Sequence, residues 1–116
     1  MTNAAPHWHE RRSEPRTPTN ARGRIMHGDK LAIWADCMIK DLSPSGAKIE
    51  LSQLYNLPPR FILLHFQAGV AFEVVLKWRR GDLAGMAFER RHPLDAEVEP
   101  RLEPVREAWL ALRPGA

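Results

Sequence analysis

The sequence has almost no cysteine: Cys37 is the single thiol among 116 residues. One cysteine cannot form an intrachain disulfide, which excludes a disulfide-rich secreted scaffold and a zinc site built from several thiolates. Long hydrophobic runs are also missing, since no apolar stretch approaches the ~20 residues that span a bilayer. The N-terminal MTNAAPHWHERR lacks the apolar segment of a signal peptide. We therefore expect a cytoplasmic protein that does not insert into a membrane.

Excess charge is small and lies in the N-terminal quarter of the chain. The sequence has 17 Lys+Arg against 14 Asp+Glu, a net charge of +3. Residues 1–30 contain six basic and three acidic side chains, whereas residues 31–116 contain eleven of each. Arginine outnumbers lysine thirteen to four, and its planar guanidinium suits phosphates and guanine edges. The pattern indicates an anionic partner, although a modest positive balance also serves solubility alone.

Alternation of apolar and polar residues predicts six strands separated by short turns. The segments are residues 20–26, 31–40, 47–51, 61–66, 70–79 and 83–89. In the second segment the face expected to be buried carries Leu31, Ile33, Ala35, Cys37 and Ile39. Six short strands with tight turns favour a small antiparallel barrel over a parallel sheet with crossover helices.

The two ends of the chain follow other patterns. Residues 1–19 contain three prolines and no sustained apolar period, which predicts a flexible arm. Apolar residues three or four apart in the tail, with Pro104 suited to a first helical turn, predict a C-terminal α-helix. The predicted organisation is an arm (1–19), an all-β six-stranded antiparallel barrel (20–92) and a helical tail (93–116).

Two motifs lie outside the predicted strands, one on the arm that leads into the first strand and one in the turn that leads into the third. Arg12 and Arg16 have R-x-x-x-R spacing on the arm, and residues 41–46 read D-x-S-x-x-G in a predicted turn. In this order, and followed by VVLKWRRGDLAGMAF (residues 74–88), they resemble the PilZ domain family of cyclic di-GMP receptors. The resemblance implies a PilZ-like split barrel that binds a ligand, with no cofactor and no enzymatic activity.

The resemblance also implies a ligand site shared by the arm and the turn. Cyclic di-GMP carries two phosphates and two guanines, and an arginine fork can bind either group bidentately. The implied ligand-binding residues are Arg11, Arg12, Arg16, Asp41, Ser43 and Gly46. Family members with an additional arginine at the position of Arg11 tend to bind a stacked ligand dimer. We expect the arm to close over the ligand and to signal to an unidentified downstream protein.

Each candidate residue has a plainer interpretation as well. The arginines of the arm form a charge run that can simply be solvated, and residues 41–46 are ordinary turn formers. Trp78 falls on the apolar face of its strand, so core packing is favoured over stacking on a guanine, for which it stays a second candidate. Trp109 is likewise expected to pack. Cys37 is expected to be a small buried hydrophobe.

Other functions compete with the receptor. A PilZ-like interaction adaptor would not bind the nucleotide, but such proteins usually lose one or both motifs. A small barrel that binds single-stranded DNA or RNA needs aromatic platforms in a basic groove, and here the aromatics fall mostly on the predicted core face. The histidines of the arm show no known metal-ligand spacing, and the serines lack a G-x-S-x-G elbow. We therefore expect no nucleic-acid partner, no metal and no catalytic residue.

Overall fold

A computed structural model describes residues 15–112 as a barrel of six antiparallel strands followed by one α-helix. The elements are β1 (Thr17–His27), β2 (Ile33–Ser43), β3 (Gly46–Glu50), β4 (Arg60–His65), β5 (Val70–Arg80), β6 (Leu83–Pro93) and α1 (Glu103–Leu112). The barrel closes in the order β1-β2-β3-β6-β5-β4. The predicted all-β barrel with a C-terminal helix is confirmed. Within these residues no helix is long and apolar enough to cross a membrane.

The interior of the barrel is filled by aliphatic side chains from successive strands. Ile25, Ile39, Ile49, Leu63 and Val74 come from β1 to β5, and each is at most 1% exposed. Burying each such side chain contributes roughly 1.5–3 kcal/mol. Because a shift of one residue would turn these side chains outward, their burial fixes the register of the strands. The register in turn decides which side chains reach the outer surface.

A second apolar cluster lies outside the barrel, beneath α1. Leu102 and Val105 are fully buried and belong to one cluster with Ile62 and Leu64 of β4. The indole nitrogen of Trp109 donates a hydrogen bond to the carbonyl of Phe66 at 3.0 Å. The tail helix therefore docks on its own barrel, and the prediction that Trp109 packs is confirmed.

A charged network joins the barrel to the segment that leads into α1. The Glu73 carboxylate on β5 accepts hydrogen bonds from His92 Nε2 at 2.6 Å and from Arg101 at 2.8 Å. Arg101 also donates to Glu99 at 2.9 Å. Burial raises the pKa of Glu73, but the hydrogen bonds from Arg101 and His92 outweigh it and hold that pKa below its ordinary value. The ionised carboxylate thus ties β5, β6 and the tail together.

The beginning of β2 differs from the prediction. Leu31 lies in a short 3₁₀ turn before the strand, and Ile33 is 52% exposed. Pairing with β3 begins only at Met38, so the first half of β2 extends along β1 beyond the core. The predicted burial is confirmed at Cys37, where desolvation, aided by the charge of Asp36, raises the thiol pKa to about 12.

Candidate ligand site

The D-x-S-x-x-G motif belongs mostly to strands. Asp41 and Ser43 are residues of β2, Gly46 begins β3, and the turn between them is two residues long. The predicted six-residue turn is therefore wrong in extent, because the ladder between β2 and β3 continues to the pair Ser43 and Gly46. The Ser43 hydroxyl is buried and donates to the Gly46 carbonyl at 3.3 Å. A Cβ on Gly46 would collide with the Met86 carbonyl, so glycine allows β3 and β6 to approach.

Strand pairing places four residues of the site in one row across the outer surface. Asp41 on β2 pairs with Lys48 on β3, Lys48 pairs with Gly85 on β6, and Gly85 pairs with Trp78 on β5. Residues directly opposite each other in antiparallel strands project to the same face. That face is the outer one, since Ile49, the neighbour of Lys48, is buried in the core.

Two β-bulges turn side chains of this row toward the outer surface. The β2–β3 register shifts between Ile39 and Asp41, and the β5–β6 register shifts between Leu76 and Trp78. Simple alternation would put Asp41 on the same inward face as Ile39, and Trp78 on the same face as Leu76. An extra residue in one strand reverses that alternation. Each bulge therefore places a polar or aromatic side chain on the surface instead of in the core.

The row forms one wall of a groove of about 420 Å³. Arg16, one residue before β1, lies at its edge, and Lys77 of β5 also lines it. Ligand pockets in proteins commonly have volumes of about 300–1,000 Å³. With Lys48 and Asp41, the described groove carries three cationic side chains and one anionic side chain, a net charge of +2.

Asp41 holds two of these cations. Its Oδ1 is 2.8 Å from an Arg16 guanidinium nitrogen, and its Oδ2 is 3.4 Å from Lys48 Nζ. The Asp41 side chain is 14% exposed, whereas those of Arg16 and Lys48 are 58% and 38% exposed. The carboxylate is thus fixed in the wall, and the arginine that it holds faces solvent. The side-chain amine of Lys77 has no ion-pair or hydrogen-bond partner among residues 15–112.

Trp78 lies in the groove and not in the core. Its side chain is 40% exposed, which corrects the expectation that its apolar neighbours would bury it. The indole rests on Gly85, where any Cβ would collide with the ring. The guanidinium of Arg80 lies 5.6 Å from the ring centroid. The bulge at Lys77 explains the error, because it turns Trp78 away from the face of Leu76.

A family profile for the PilZ domain matches residues 10–102. The chain belongs to the PilZ domain family. It is also similar to the crystal structure of the PilZ domain of CeSA from a cellulose-synthesizing bacterium, with 14% sequence identity and a TM-score of 0.49. That match covers 84% of this chain and 96% of the other. No curated protein matches the sequence. PilZ domains are in general receptors for cyclic di-GMP and not enzymes.

The PilZ motif residues are only partly brought together. Arg16, Asp41 and Gly46 all line the groove, whereas Ser43 lies behind it in the hairpin. Arg11 and Arg12 lie outside the described residues. No three metal-binding side chains cluster anywhere in residues 15–112.

Three residues that line the groove of this PilZ domain were not predicted from the sequence as site residues: Lys48, Lys77 and Gly85. The two lysines occupy strand positions that look like ordinary solvated charges. Only the pairing of β3 with β6, and of β6 with β5, brings them to one surface. Gly85 did carry a signal, since a glycine within a strand often marks close approach of another group.

Proposed function

We propose that this PilZ domain is a cytoplasmic receptor for cyclic di-GMP that uses this groove and has no catalytic activity. The observation that carries the proposal is the groove beside the row on the outer surface, which brings together a carboxylate, three cationic side chains and an exposed indole. Phosphates require the cations, guanine N–H groups require an acceptor, and a base requires a flat surface on which to stack. A guanine dinucleotide presents all three demands.

In this proposal the cations divide between the phosphates. Arg16 faces solvent at the edge of the groove, and its two-pronged guanidinium can bind one phosphate or the O6 and N7 edge of a guanine. Lys77, whose side-chain amine has no partner in residues 15–112, offers a point charge to the other phosphate. Asp41 accepts from guanine N–H groups, and the indole of Trp78 supports the base. Ser43 and Gly46 serve by shaping the hairpin.

Arg11 and Arg12 complete the clamp from the arm. The arm joins the barrel at Arg16, directly beside the groove. We propose that ligand binding closes the arm and that a downstream protein recognises the closed form. Arg11 supports a second, stacked ligand molecule in this scheme. The alternative is an interaction adaptor that does not bind the nucleotide. For such an adaptor, titration calorimetry with cyclic di-GMP is expected to show no heat of binding.

Titration calorimetry tests the proposal. The protein of residues 1–116 is expected to bind cyclic di-GMP at micromolar levels and to bind neither GMP nor a short oligonucleotide comparably. Arg16→Ala is expected to weaken binding by at least about tenfold, the loss of one charge-assisted hydrogen bond or more. The melting temperature should change little, because Arg16 lies outside the strands and Lys48 stays beside Asp41. Arg60→Ala is the control, since Arg60 pairs with Glu89 and does not line the groove.

The stacked-dimer part of the proposal has a separate test. Arg11→Ala is expected to lower the number of bound ligand molecules from two toward one before it lowers the affinity of the first. Calorimetric stoichiometry, checked by analytical ultracentrifugation of the complex, measures this directly. One ligand bound to both the wild type and the variant would refute the dimer while leaving the receptor intact.

A further inference from the structure

Asp41 poses a problem for any ligand that recruits Arg16. The pair between them, at 2.8 Å, engages Arg16 Nη1, one of the three guanidinium nitrogens, so a ligand that binds both prongs of the fork competes with Asp41 for it. If Arg16 moves to the ligand, Asp41 stays in the wall with 14% of its side chain exposed. A carboxylate with little access to water and no partner is costly, on the order of 1–3 kcal/mol or more. Guanine N–H groups can donate to Asp41, but the positive charge that replaces the lost arginine has to come from the protein.

Lys48 is placed to supply this charge. Its Nζ lies 3.4 Å from the other carboxylate oxygen, Oδ2, which is longer than an optimal charged hydrogen bond. The position of Lys48 is set by β3, directly opposite Asp41 in the ladder, so it does not depend on the arm. A flexible lysine stem can shorten that distance without movement of the backbone. Arg16, by contrast, precedes β1 and has no strand to hold it.

We propose that ligand binding works by ion-pair exchange, in which Arg16 leaves Asp41 for the ligand and Lys48 becomes the sole counter-ion of Asp41. Lys48 is then a positioning residue and does not contact the ligand. The inference rests on the proposed function and adds a residue outside both motifs. It also accounts for the charges: with Lys48 paired to Asp41, Arg16 and Lys77 remain in the described groove to meet two phosphates.

A double-mutant cycle tests the exchange. Calorimetric dissociation constants for cyclic di-GMP are compared for wild type, Lys48→Met, Asp41→Asn and the double variant. Lys48→Met keeps the apolar stem and is expected to weaken binding about tenfold in the wild-type background. In the Asp41→Asn background, where no carboxylate needs a counter-ion, its effect should fall below about twofold. Titrations at high protein concentration keep dissociation constants near about 1 mM measurable.

Lys77→Met is the matched control, because Lys77 lines the same groove without a contact to Asp41. It is expected to weaken binding by the same factor in both backgrounds. If Lys48→Met behaves in that additive way, Lys48 contacts the ligand and the exchange is overturned. If Lys48→Met binds like wild type, the exchange is overturned as well. If wild type itself does not bind, the proposed function fails together with it.

Discussion

At the scale of single residues, two exposed tryptophans allow a residue of the groove to be compared with one elsewhere on the surface. Trp78 is 40% exposed and lies in the groove, whereas Trp34 is 50% exposed at the beginning of β2. Trp34 packs against the guanidinium of Arg24, 3.7 Å from its ring centroid, and takes no part in the groove. The pair therefore provides an internal comparison for any effect of removing an exposed indole.

Trp78→Leu is expected to weaken cyclic di-GMP binding by about 1–2 kcal/mol, because an aromatic ring that supports a base contributes that much. Trp34→Leu should leave the affinity unchanged. Calorimetry on both variants, with circular dichroism to verify the fold, makes the measurement. Equal losses in the two variants would show that the effect is general and does not arise from stacking.

The glycines of the groove differ in what an added methyl group would meet. At Gly46 the obstacle is the Met86 carbonyl, part of the backbone of β6, whereas at Gly85 it is the indole of Trp78. Backbone in a closed ladder cannot move aside, but an exposed side chain can turn away. Gly46→Ala is expected to lower the free energy of unfolding by about 1–3 kcal/mol.

Gly85→Ala should cost less stability and instead displace Trp78, so that ligand affinity falls. Urea denaturation and calorimetry on both glycine variants distinguish the two outcomes. A Gly46→Ala protein as stable as wild type would show that β3 and β6 can separate at no cost. A Gly85→Ala protein with wild-type affinity would remove the indole from the ligand site.

At the scale of elements, sequence periodicity predicted six strands and a helix but missed what the bulges do. Strong alternation identified β5, and the buried positions of Val70, Phe72 and Val74 agree with it. The alternation fails at Trp78 because one extra residue reverses the faces, and nothing in the local sequence marks that residue. Likewise, Lys48 could not be predicted as a groove residue, because its neighbours across the sheet are set by long-range pairing.

The residues of the two motifs were predicted from a resemblance and not from periodicity. The structure brings three of them, Arg16, Asp41 and Gly46, to one groove. Their local sequence, rich in ordinary turn formers, did not require it. The roles of these residues toward a ligand stay predictions, and so do those of Arg11 and Arg12.

The network between the barrel and the tail gives a pH-dependent prediction. Glu73→Gln is expected to reduce stability at neutral pH by about 1 kcal/mol, since exposure of Arg101 screens part of the interaction. The pKa of Glu73 is lower in the folded protein than its ordinary 4.5. Its contribution is therefore complete above pH 4.5 and is lost as pH falls through the lowered pKa.

Urea denaturation of wild type and Glu73→Gln across this pH range tests the network. The stability difference should shrink on acidification and vanish once the wild-type carboxyl is protonated. Glu50→Gln is the control, because Glu50 is exposed and has no polar side-chain partner in residues 15–112. A difference that persists at low pH would assign the effect to packing and not to charge.

For the whole molecule, the position of α1 makes the tail part of the domain. Removing residues 94–116 would expose Ile62, Leu64 and the rest of the outer cluster to water. Such a truncated chain is expected to aggregate or to bind a hydrophobic dye, because a contiguous apolar patch of this kind is poorly tolerated on a monomer. Size-exclusion chromatography and dye fluorescence measure the outcome. A monodisperse truncated barrel with an unchanged melting temperature would contradict it.

Closure of the barrel limits how any partner can recognise this protein. Each of the six described strands has a neighbour on both sides along part of its length, so the closed part of the barrel offers no free edge of backbone donors and acceptors. In the closed part a partner cannot add a strand, which is a common way of capturing an extended peptide, whereas residues 33–37 of β2, which pair with β1 alone, leave one side of a strand open. Recognition of the closed part, which includes the groove, must depend on the side chains that its surface displays. Ligand binding can thus be signalled to a partner through a change in the positions of those side chains.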